Sequence, residues 1–444
     1  MNVADIDLLP YVEMIPNIDP LKVYGRVVEI TGIIIKATGV RASIGESCRI
    51  FSDNDFSIDA EVVGFRDDRV LLMGIGDLTG IGIGSRVLPV HRKVCVKVAP
   101  SLRGRVINDK GEPLDGKGPL TGTGYPLLSS SPNPLKRRRI AESLDLGIRA
   151  INGLLTCGKG QRLGIMSGSG VGKSVLLGMI AKYSAASLNV IALVGERGRE
   201  VREFIEKDLG DEGLEKSVVV VSTSEQPPIA KVRAALAATA IAEYFLHRGE
   251  DVLLLMDSLT RVAQAQREIG LAIGEPPTAK GYTPSVFTLL PKLLERVGRS
   301  EHSGSITGIY TVLVEGDDLS DPIADAARAL LDGHIVLSRE LAMENQYPSI
   351  DILLSISRVM SDIVEPKHRE YASKFLEVLA LYKKFEDMIN LGAYKEGTNP
   401  KLDHAMKMID RLREYIKQDI SERVDFSDSL QDLYLIFDEN GKAT

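Results

Sequence analysis

The chain has 444 residues, of which 44% are hydrophobic and 26% are charged, and its formal net charge is −7. This length is too great for a single hydrophobic core, so two or three domains are expected in a globular protein. The acidic balance and the 5% of aromatic residues argue against broad affinity for nucleic acid and against a base-stacking surface.

The sequence also lacks the usual signs of membrane insertion and secretion. No apolar run of about 18 residues is present, so no membrane span is expected. The first residues contain no basic region followed by an apolar stretch, so no secretion signal is expected. Cys48, Cys95 and Cys157 are far apart and form no metal or redox spacing. A reducing cytosolic compartment is therefore the expected setting.

Three zones follow one another along the chain. Residues 1–92 contain short bursts of Val and Ile separated by glycines, a pattern that predicts an N-terminal β-barrel domain. Residues 93–360 alternate apolar runs with helical stretches, which is typical of a parallel sheet covered on both faces. Residues 361–444 predict a C-terminal helical domain, with a turn at Gly392 and Gly397 and a second helix from Pro400.

Within the middle zone, the apolar runs predict strands at 161–166, 190–194, 218–221 and 252–256. A helix is expected between the last two of these strands. Pro228 fits its first turn, and Gly249 follows its end. The fold class predicted from this alternation is α/β.

Residues 167–174 read Ser-Gly-Ser-Gly-Val-Gly-Lys-Ser, which departs from the P-loop pattern G-x-x-x-x-G-K-[ST] only at Ser167. A predicted strand precedes this segment and an apolar helix follows it, as a P-loop requires. Glycines allow backbone N–H groups to point at phosphate oxygens, and the helix N-terminus adds partial positive charge. Lys173 would bind the β- and γ-phosphates of ATP, and Ser174 would ligate Mg²⁺. The candidate nucleotide-binding residues are Gly168, Ser169, Gly170, Val171, Gly172, Lys173, Ser174 and Val175.

Two further acidic residues follow predicted strands. Asp257 is expected at the carboxyl end of a buried strand, where it would face Mg²⁺; the alternative is an aspartate that caps a turn. Glu196 ends another strand and could polarise the attacking water. From spacing alone, Glu196, Arg197 and their neighbours fit a surface ion-pair cluster equally well.

The chain resembles the flagellar export ATPases, within the wider group of type III secretion ATPases and catalytic subunits of rotary ATPases. The resemblance covers essentially the whole chain. The motifs that carry it are 168–174, Gly-Glu-Arg-Gly-Arg-Glu at 195–200, Asp-Ser-Leu-Thr-Arg at 257–261, Gly-Glu-Pro-Pro at 274–277, Gly-Tyr-Thr-Pro-Ser-Val-Phe at 281–287, Tyr-Pro-Ser-Ile-Asp at 347–351 and Ser-Arg-Val-Met at 357–360.

The resemblance implies a RecA-like P-loop ATPase domain at 93–360, and it implies roles for individual residues. Glu196 matches the catalytic glutamate, and Arg197 matches an arginine near the γ-phosphate of ATP. Arg358 matches the arginine finger that one subunit inserts into its neighbour's site. Tyr347 matches a residue that packs on adenine, with plain core packing as the alternative. The other aromatic contacts of the adenine pocket have no clear match.

The resemblance further implies a homohexamer that associates with the inner membrane only through partners. Those partners are a stator-like regulatory protein, export chaperones and substrates, and the export gate, with no nucleic acid among them. Residues 1–20 contain several apolar side chains. They fit either an amphipathic partner-binding segment or a helix packed on the chain's own barrel.

Four other functions fit the sequence less well. Within the resemblance, residues 266–272 (Gln-Arg-Glu-Ile-Gly-Leu-Ala) favour a flagellar ATPase over an injectisome secretion ATPase. The turn 392–398 is mixed in charge, whereas a proton-coupled ATP synthase subunit should carry an acidic motif there. An RNA translocase needs a basic, aromatic N-terminal platform, which is missing. A non-catalytic nucleotide-binding subunit usually loses the glutamate, and Glu196 is present.

Overall fold

The computed structural model describes residues 22–52, 56–129, 132–314, 316, 318 and 320–438. Contacts divide the described chain into two compact units, with the boundary between Val94 and Cys95. The two alternatives for residues 1–20, a partner-binding segment or a helix packed on the barrel, concern residues outside the described ranges. The domain boundaries predicted after residues 92 and 360 stay predictions.

The first unit is a closed six-stranded barrel, in which the strands follow the order β1-β2-β5-β4-β3-β6 and every pair is antiparallel. Side chains alternate along β4, where Ile58, Ala60 and Val62 are buried and their neighbours are not. The predicted β-barrel is confirmed. Its strands are β1 (Gly25–Thr31), β2 (Ile34–Thr38), β3 (Glu46–Phe51), β4 (Ser57–Arg66), β5 (Arg69–Gly74) and β6 (Arg86–Lys93).

The second unit is built on a sheet with the strand order β17-β16-β10-β15-β13-β11-β12-β8. Neighbouring strands in this order are parallel, except that β17 runs antiparallel to β16. Along β11 and β12 every residue is buried, as expected for strands covered on both faces. The four strands predicted from apolar runs are confirmed as β10, β11, β12 and β13.

The strands of this unit are β7 (Cys95–Val98), β8 (Arg105–Asn108), β9 (Thr123–Pro126), β10 (Arg162–Ser167), β11 (Leu188–Val194), β12 (Ser217–Ser222), β13 (Asp251–Asp257), β14 (Gly298–Arg299), β15 (Ser305–Leu313), β16 (Gly333–Leu337) and β17 (Ile350–Ser357). β14 pairs with β15, and β7 pairs with β9 in a separate ribbon.

The described helices cover both faces of the sheet and form the C-terminal region. They are α1 (Arg149–Leu154), α2 (Lys173–Tyr183), α3 (Gly198–Glu203), α4 (Gly210–Glu215), α5 (Pro228–His247), α6 (Leu259–Ile273), α7 (Pro284–Leu294), α8 (Pro322–Leu330), α9 (Arg339–Met343), α10 (Met360–Ile363), α11 (Pro366–Asn390), α12 (Pro400–Ile416) and α13 (Phe426–Phe437). The helix predicted from Pro228 is confirmed as α5. Among the described residues, every helix is too short or too polar to cross a bilayer.

The C-terminal region is helical, as predicted, and its helices α11, α12 and α13 pack on one another and on α1. Gly392 and Gly397, both at positive φ, lie in the turn between α11 and α12. On α11, Phe375 is fully buried against Tyr415 of α12. The sequence pattern did not predict α13, which packs through Leu433 and Ile436 into the core shared with the sheet.

Candidate active site

The P-loop connects β10 to α2 at the carboxyl edge of the sheet. β10 ends at Ser167, and α2 begins at Lys173. Gly170 and Gly172 have φ of +78° and +88°, a region that residues with a Cβ adopt only with strain. The Ser349 hydroxyl donates to the Val171 carbonyl at 2.7 Å and so holds the loop from outside. That the backbone N–H groups of this loop point at phosphate oxygens stays a prediction.

A cavity of about 660 Å³ opens beside this loop, where β10, β11 and β13 end. Its size is within the range of small-molecule sites. The predicted residues that line it are Gly168, Ser169, Gly170, Gly172, Lys173, Ser174, Val175, Glu196, Arg197 and Asp257. Val171, Tyr347 and Arg358 are not part of this lining.

Lys173 is held between two carboxylates at the floor of the cavity. Its Nζ lies 2.5 Å from Asp257 Oδ1 and 3.5 Å from Glu196 Oε1. The Thr311 hydroxyl donates to the same Asp257 oxygen at 2.7 Å. Burial disfavours the charged ammonium, but the two carboxylates outweigh that cost and raise the pKa of Lys173. The lysine is therefore a largely buried cation whose charge is balanced by two carboxylates.

Glu196 follows β11 and lies in the same cluster. Burial, together with the nearby Asp257 charge and against the opposing charge of Lys173, raises the pKa of its carboxyl to about 7. Glu200 lies close enough to share a proton with Glu196, and this contact lowers the pKa of Glu200. A carboxyl that titrates near neutrality has the basicity that a general base requires.

Arg197 lies at the rim of the cavity. It precedes α3, where its backbone N–H donates to Glu200 Oε2 at 3.3 Å. Its guanidinium lies 3.6 Å from Glu200, and its side chain is 80% exposed. In this single chain the arginine is therefore directed to solvent and makes an exposed ion pair, which contributes little to stability.

Tyr347 lies on the flank of the P-loop. Two of its ring carbons are 3.5 Å from the position that a Cβ on Gly172 would occupy. The residue is 42% exposed, and its carbonyl accepts from the Gln418 backbone N–H at 3.0 Å. The ring thus presents an accessible face next to the loop that would hold the phosphates.

Arg358 lies at the opposite edge of the sheet. β17 pairs Ile350 with Leu337 and Ser357 with Gly333, and Leu337 lies beside Ser167 at the start of the P-loop. At about 3.3 Å per strand residue, Arg358 is roughly 15 Å below the loop along the strand direction. The arginine cannot reach the cavity of its own chain.

Models of known families match most of the chain. The model described as "ATP synthase alpha/beta family, nucleotide-binding domain" matches residues 147–357. The beta-barrel domain of the same family matches residues 27–91, and the "T3SS EscN ATPase C-terminal domain" matches residues 364–434.

Relatives match over nearly their whole length. A "Flagellum-specific ATP synthase" of Bacillus subtilis is 53% identical over 93% of this chain and 94% of the relative. A "Type 3 secretion system ATPase" of Xanthomonas euvesicatoria is 48% identical, with 94% of each chain covered. The chain belongs to the flagellum-specific and type III secretion ATPase family. It is a nucleotide-hydrolysing P-loop enzyme.

Solved structures of this ATPase family share the fold. The assembled ATPase EscN from enteropathogenic E. coli has a TM-score of 0.87 and 43% sequence identity, covering 93% of this chain and 99% of EscN. EscN in complex with its central stalk EscO has a TM-score of 0.85 and 42% identity, with the same coverage.

Two cations of the ATPase cavity were not predicted as site residues. Arg261 donates from Nη1 to Gln264 at 3.0 Å, and among the described atoms its buried Nε finds no hydrogen-bond partner. Lys231 donates to the Ser224 carbonyl at 2.8 Å. Arg261 belongs to the motif that begins at Asp257, so its place in that motif could have predicted it as a site residue. Lys231 belongs to none of the motifs described above, and only the folded chain brings it to the cavity.

The residues present fit a magnesium ion that is bound together with a nucleotide. Within the described ranges, no group of three or more His, Cys, Asp or Glu side chains could hold a metal ion by itself. Ser174 and Asp257 both line the cavity. Magnesium is commonly bound by one or two such oxygen ligands together with substrate phosphates and water. The donor set therefore suits Mg-ATP better than a free metal ion.

Proposed function

We propose that this chain is the ATP-hydrolysing subunit of a bacterial type III protein export apparatus, and that the apparatus is the flagellar one. The observation that supports this most directly is the partly buried cluster of Lys173, Glu196 and Asp257 beside the P-loop. The cluster lies in a chain that matches export ATPases over almost its full length.

Binding of ATP would rearrange this cluster. The triphosphate brings negative charge to the backbone N–H groups at the α2 N-terminus, so Lys173 would exchange its carboxylate partners for phosphate oxygens. Ser174 and Asp257 would hold Mg²⁺, which neutralises charge on the phosphates when it is bound. Residues 168–175 would thus form the nucleotide-binding segment.

Glu196 is proposed as the general base. It would take a proton from water as the water oxygen bonds to the γ-phosphorus and the bond to the bridging oxygen of ADP breaks. The products are ADP and phosphate, and the proton resides on Glu196. Its carboxyl has a pKa of about 7, so it would accept and release this proton near neutral pH. Arg197, at the cavity rim, would move onto the γ-phosphate.

Arg358 is proposed to act in the site of a neighbouring copy. Its distance from its own cavity supports this role, because the guanidinium would otherwise have no reacting phosphate to stabilise. One sequence carries both halves of such a site, so a homohexamer suffices. Tyr347 is proposed to stack on adenine, which its exposed ring beside Gly172 supports.

The proposed setting is the cytoplasmic face of the inner membrane, where the ATPase would associate through partners. Those partners are a stator-like regulator, export chaperones and substrates, and the export gate; nucleic acid is not among them. A central stalk is a further expected partner, since EscN was solved with its stalk EscO. Residues 1–20 remain a candidate segment for binding the regulator.

An injectisome is the second candidate, because several relatives and the solved structures are type III secretion ATPases of similar identity. A deletion strain separates the two. We expect it to stop secreting flagellar subunits and to recover with the wild-type chain but not with Glu196→Gln. Normal flagellar assembly and subunit secretion in the deletion strain would exclude the flagellar function.

A further inference from the structure

Gln161 immediately precedes β10, and its side chain is completely buried, with 0% exposure. Its Oε1 accepts from the Gly158 N–H at 2.8 Å. Its Nε2 donates to the Asp332 carbonyl at 3.2 Å and to Ser357 Oγ at 3.1 Å. Both ends of the amide are therefore bound, as a buried polar side chain requires.

The two acceptors of Gln161 Nε2 are both linked to the main chain at Arg358. Ser357 directly precedes the arginine, and its hydroxyl donates onward to the Thr156 carbonyl at 2.8 Å. The Asp332 carbonyl that accepts from Gln161 also accepts from the Arg358 backbone N–H, at 2.9 Å. One buried amide thus fixes the main chain from which the arginine projects.

The Arg358 side chain rests on the same turn. Its guanidinium donates to the carbonyls of Arg328 and Leu331 at 3.0 and 3.2 Å, where the negative end of the α8 dipole favours a cation. The Asp332 carboxylate is held in turn by Arg162, the first residue of β10, at 3.0 to 3.1 Å. Residues 161, 332 and 357 therefore form a rigid base under the arginine.

We propose that Gln161 is a positioning residue for Arg358, setting the depth at which one subunit presents its arginine to the neighbouring site. This inference rests on the proposed trans role of Arg358. A displacement of about 1 Å at a reacting centre can lower the rate by about a hundredfold, so the support of the arginine matters for turnover. Gln161 itself would touch neither nucleotide nor phosphate.

A mixture of two inactive full-length chains provides the test. Lys173→Ala lacks a working P-loop but keeps its arginine, whereas Arg358→Ala keeps its P-loop but lacks the arginine. Mixed at concentrations that form rings, the two should regain ATPase activity at interfaces that combine the intact halves. If the mixture stays inactive while each variant assembles, the trans role is wrong and this inference falls with it.

Gln161→Leu is then added to one chain at a time. In the Lys173→Ala chain, which donates the arginine, it should lower the regained activity about tenfold or more. In the Arg358→Ala chain, which donates the P-loop, it should change the activity little. The proposal would be overturned if Gln161→Leu lowered the regained activity equally in either chain, or in neither. A purely structural role would not distinguish the two chains.

Two further variants guard against simple misfolding. Ser357→Ala removes one hydrogen-bond partner of Gln161 and leaves the buried amide in place. It should lower the regained activity roughly fivefold in the Lys173→Ala chain, the effect of one hydrogen bond, and change it little in the Arg358→Ala chain. Asn189→Ala is the control, because Asn189 is an equally buried amide that binds Ala181 and Ser217 at the start of β11. It should lower the regained activity equally in either chain. Loss of asymmetry with Ser357→Ala would contradict the proposal even if Gln161→Leu does not fold.

Discussion

Lys173 has two carboxylate partners within its own chain. These partners explain how a largely buried lysine stays charged in the cavity. A buried ammonium without such partners would lose its proton. When phosphates replace the carboxylates, Glu196 loses the neighbour that lowers the pKa of its carboxyl. In the proposed mechanism, nucleotide binding and activation of the base would therefore be coupled through one side chain.

Two substitutions should separate phosphate binding from water activation. Lys173→Ala removes the charge that binds the phosphates, so we expect loss of both ATP affinity and turnover. Glu196→Gln should lower kcat about a hundredfold or more and still bind ATP, because the base acts only on water. Titration with a fluorescent ATP analogue and a phosphate-release assay measure the two effects. Wild-type turnover by either variant would refute the assignment.

The pH dependence of the reaction should reflect the raised pKa of Glu196. The base must be ionised to accept a proton, so kcat/KM should fall as pH drops below about 7 and level off above it. A steady-state pH profile between pH 5.5 and 8.5, values chosen to bracket this pKa by roughly one and a half units, measures this. A flat profile through neutrality would show that another group, or none, limits the reaction.

The same pKa shift has a consequence for stability. Between the ordinary value of 4.5 and about 7, the folded state holds a proton on Glu196 that the unfolded state has released. The free energy of unfolding should therefore fall as pH rises through this window. Glu196→Gln carries a permanently neutral amide, so this contribution should disappear from its profile of melting temperature against pH.

Among the structural elements, the buried strands were the most predictable. Continuous apolar runs allowed β11, β12 and β13 to be placed, because strands covered on both faces have no polar side to interrupt the run. Residues 361–444 were predicted to be helical, but α13 was not delimited as a separate helix within them. Its packing against the rest of the second unit stabilises it, and sequence periodicity cannot show that packing.

One buried ion pair links helix α5 to the segment that follows α7. Glu243 accepts two hydrogen bonds from Arg296 at 2.7 Å each, and both side chains are less than a tenth exposed. Glu243→Ala leaves the arginine charge buried without its partner, so we expect a loss of about 3–5 kcal/mol in the free energy of unfolding. Thermal unfolding followed by calorimetry measures this loss.

The matched control for that experiment is an exposed ion pair. Glu206 lies 2.8 Å from Arg202, and both side chains are more than half exposed. Glu206→Ala should change stability by less than about 0.5 kcal/mol. Equal shifts in melting temperature for the two variants would show that burial of the Glu243 pair does not carry the expected energy.

In the whole molecule, the candidate site is assembled from segments that are remote in sequence. The P-loop was predictable from a single stretch, because its glycines, lysine and serine are contiguous. The role of Glu196 was open on spacing alone and rested on the family resemblance. Tyr347 reaches Gly172, and Lys231 reaches the cavity, only through the path of the folded chain. No local pattern encodes such contacts.

The sheet also separates two groups that the proposed mechanism would bring together. The P-loop and Arg358 lie at opposite edges of the sheet. If Arg358 acts in a neighbouring copy, as proposed, the site of a single chain lacks its arginine. Assembly of identical chains would then bring the two groups together. Catalysis should therefore require oligomerisation in this ATPase.

The most direct test is the specific ATPase activity measured against protein concentration, with ring formation followed by electron microscopy in the same samples. The activity per chain should rise in step with the fraction of chains in rings, and Arg358→Ala should form rings without that rise. Constant specific activity from dilute single chains to assembled rings, with Arg358→Ala as active as the wild type, would contradict a site completed by the neighbouring copy.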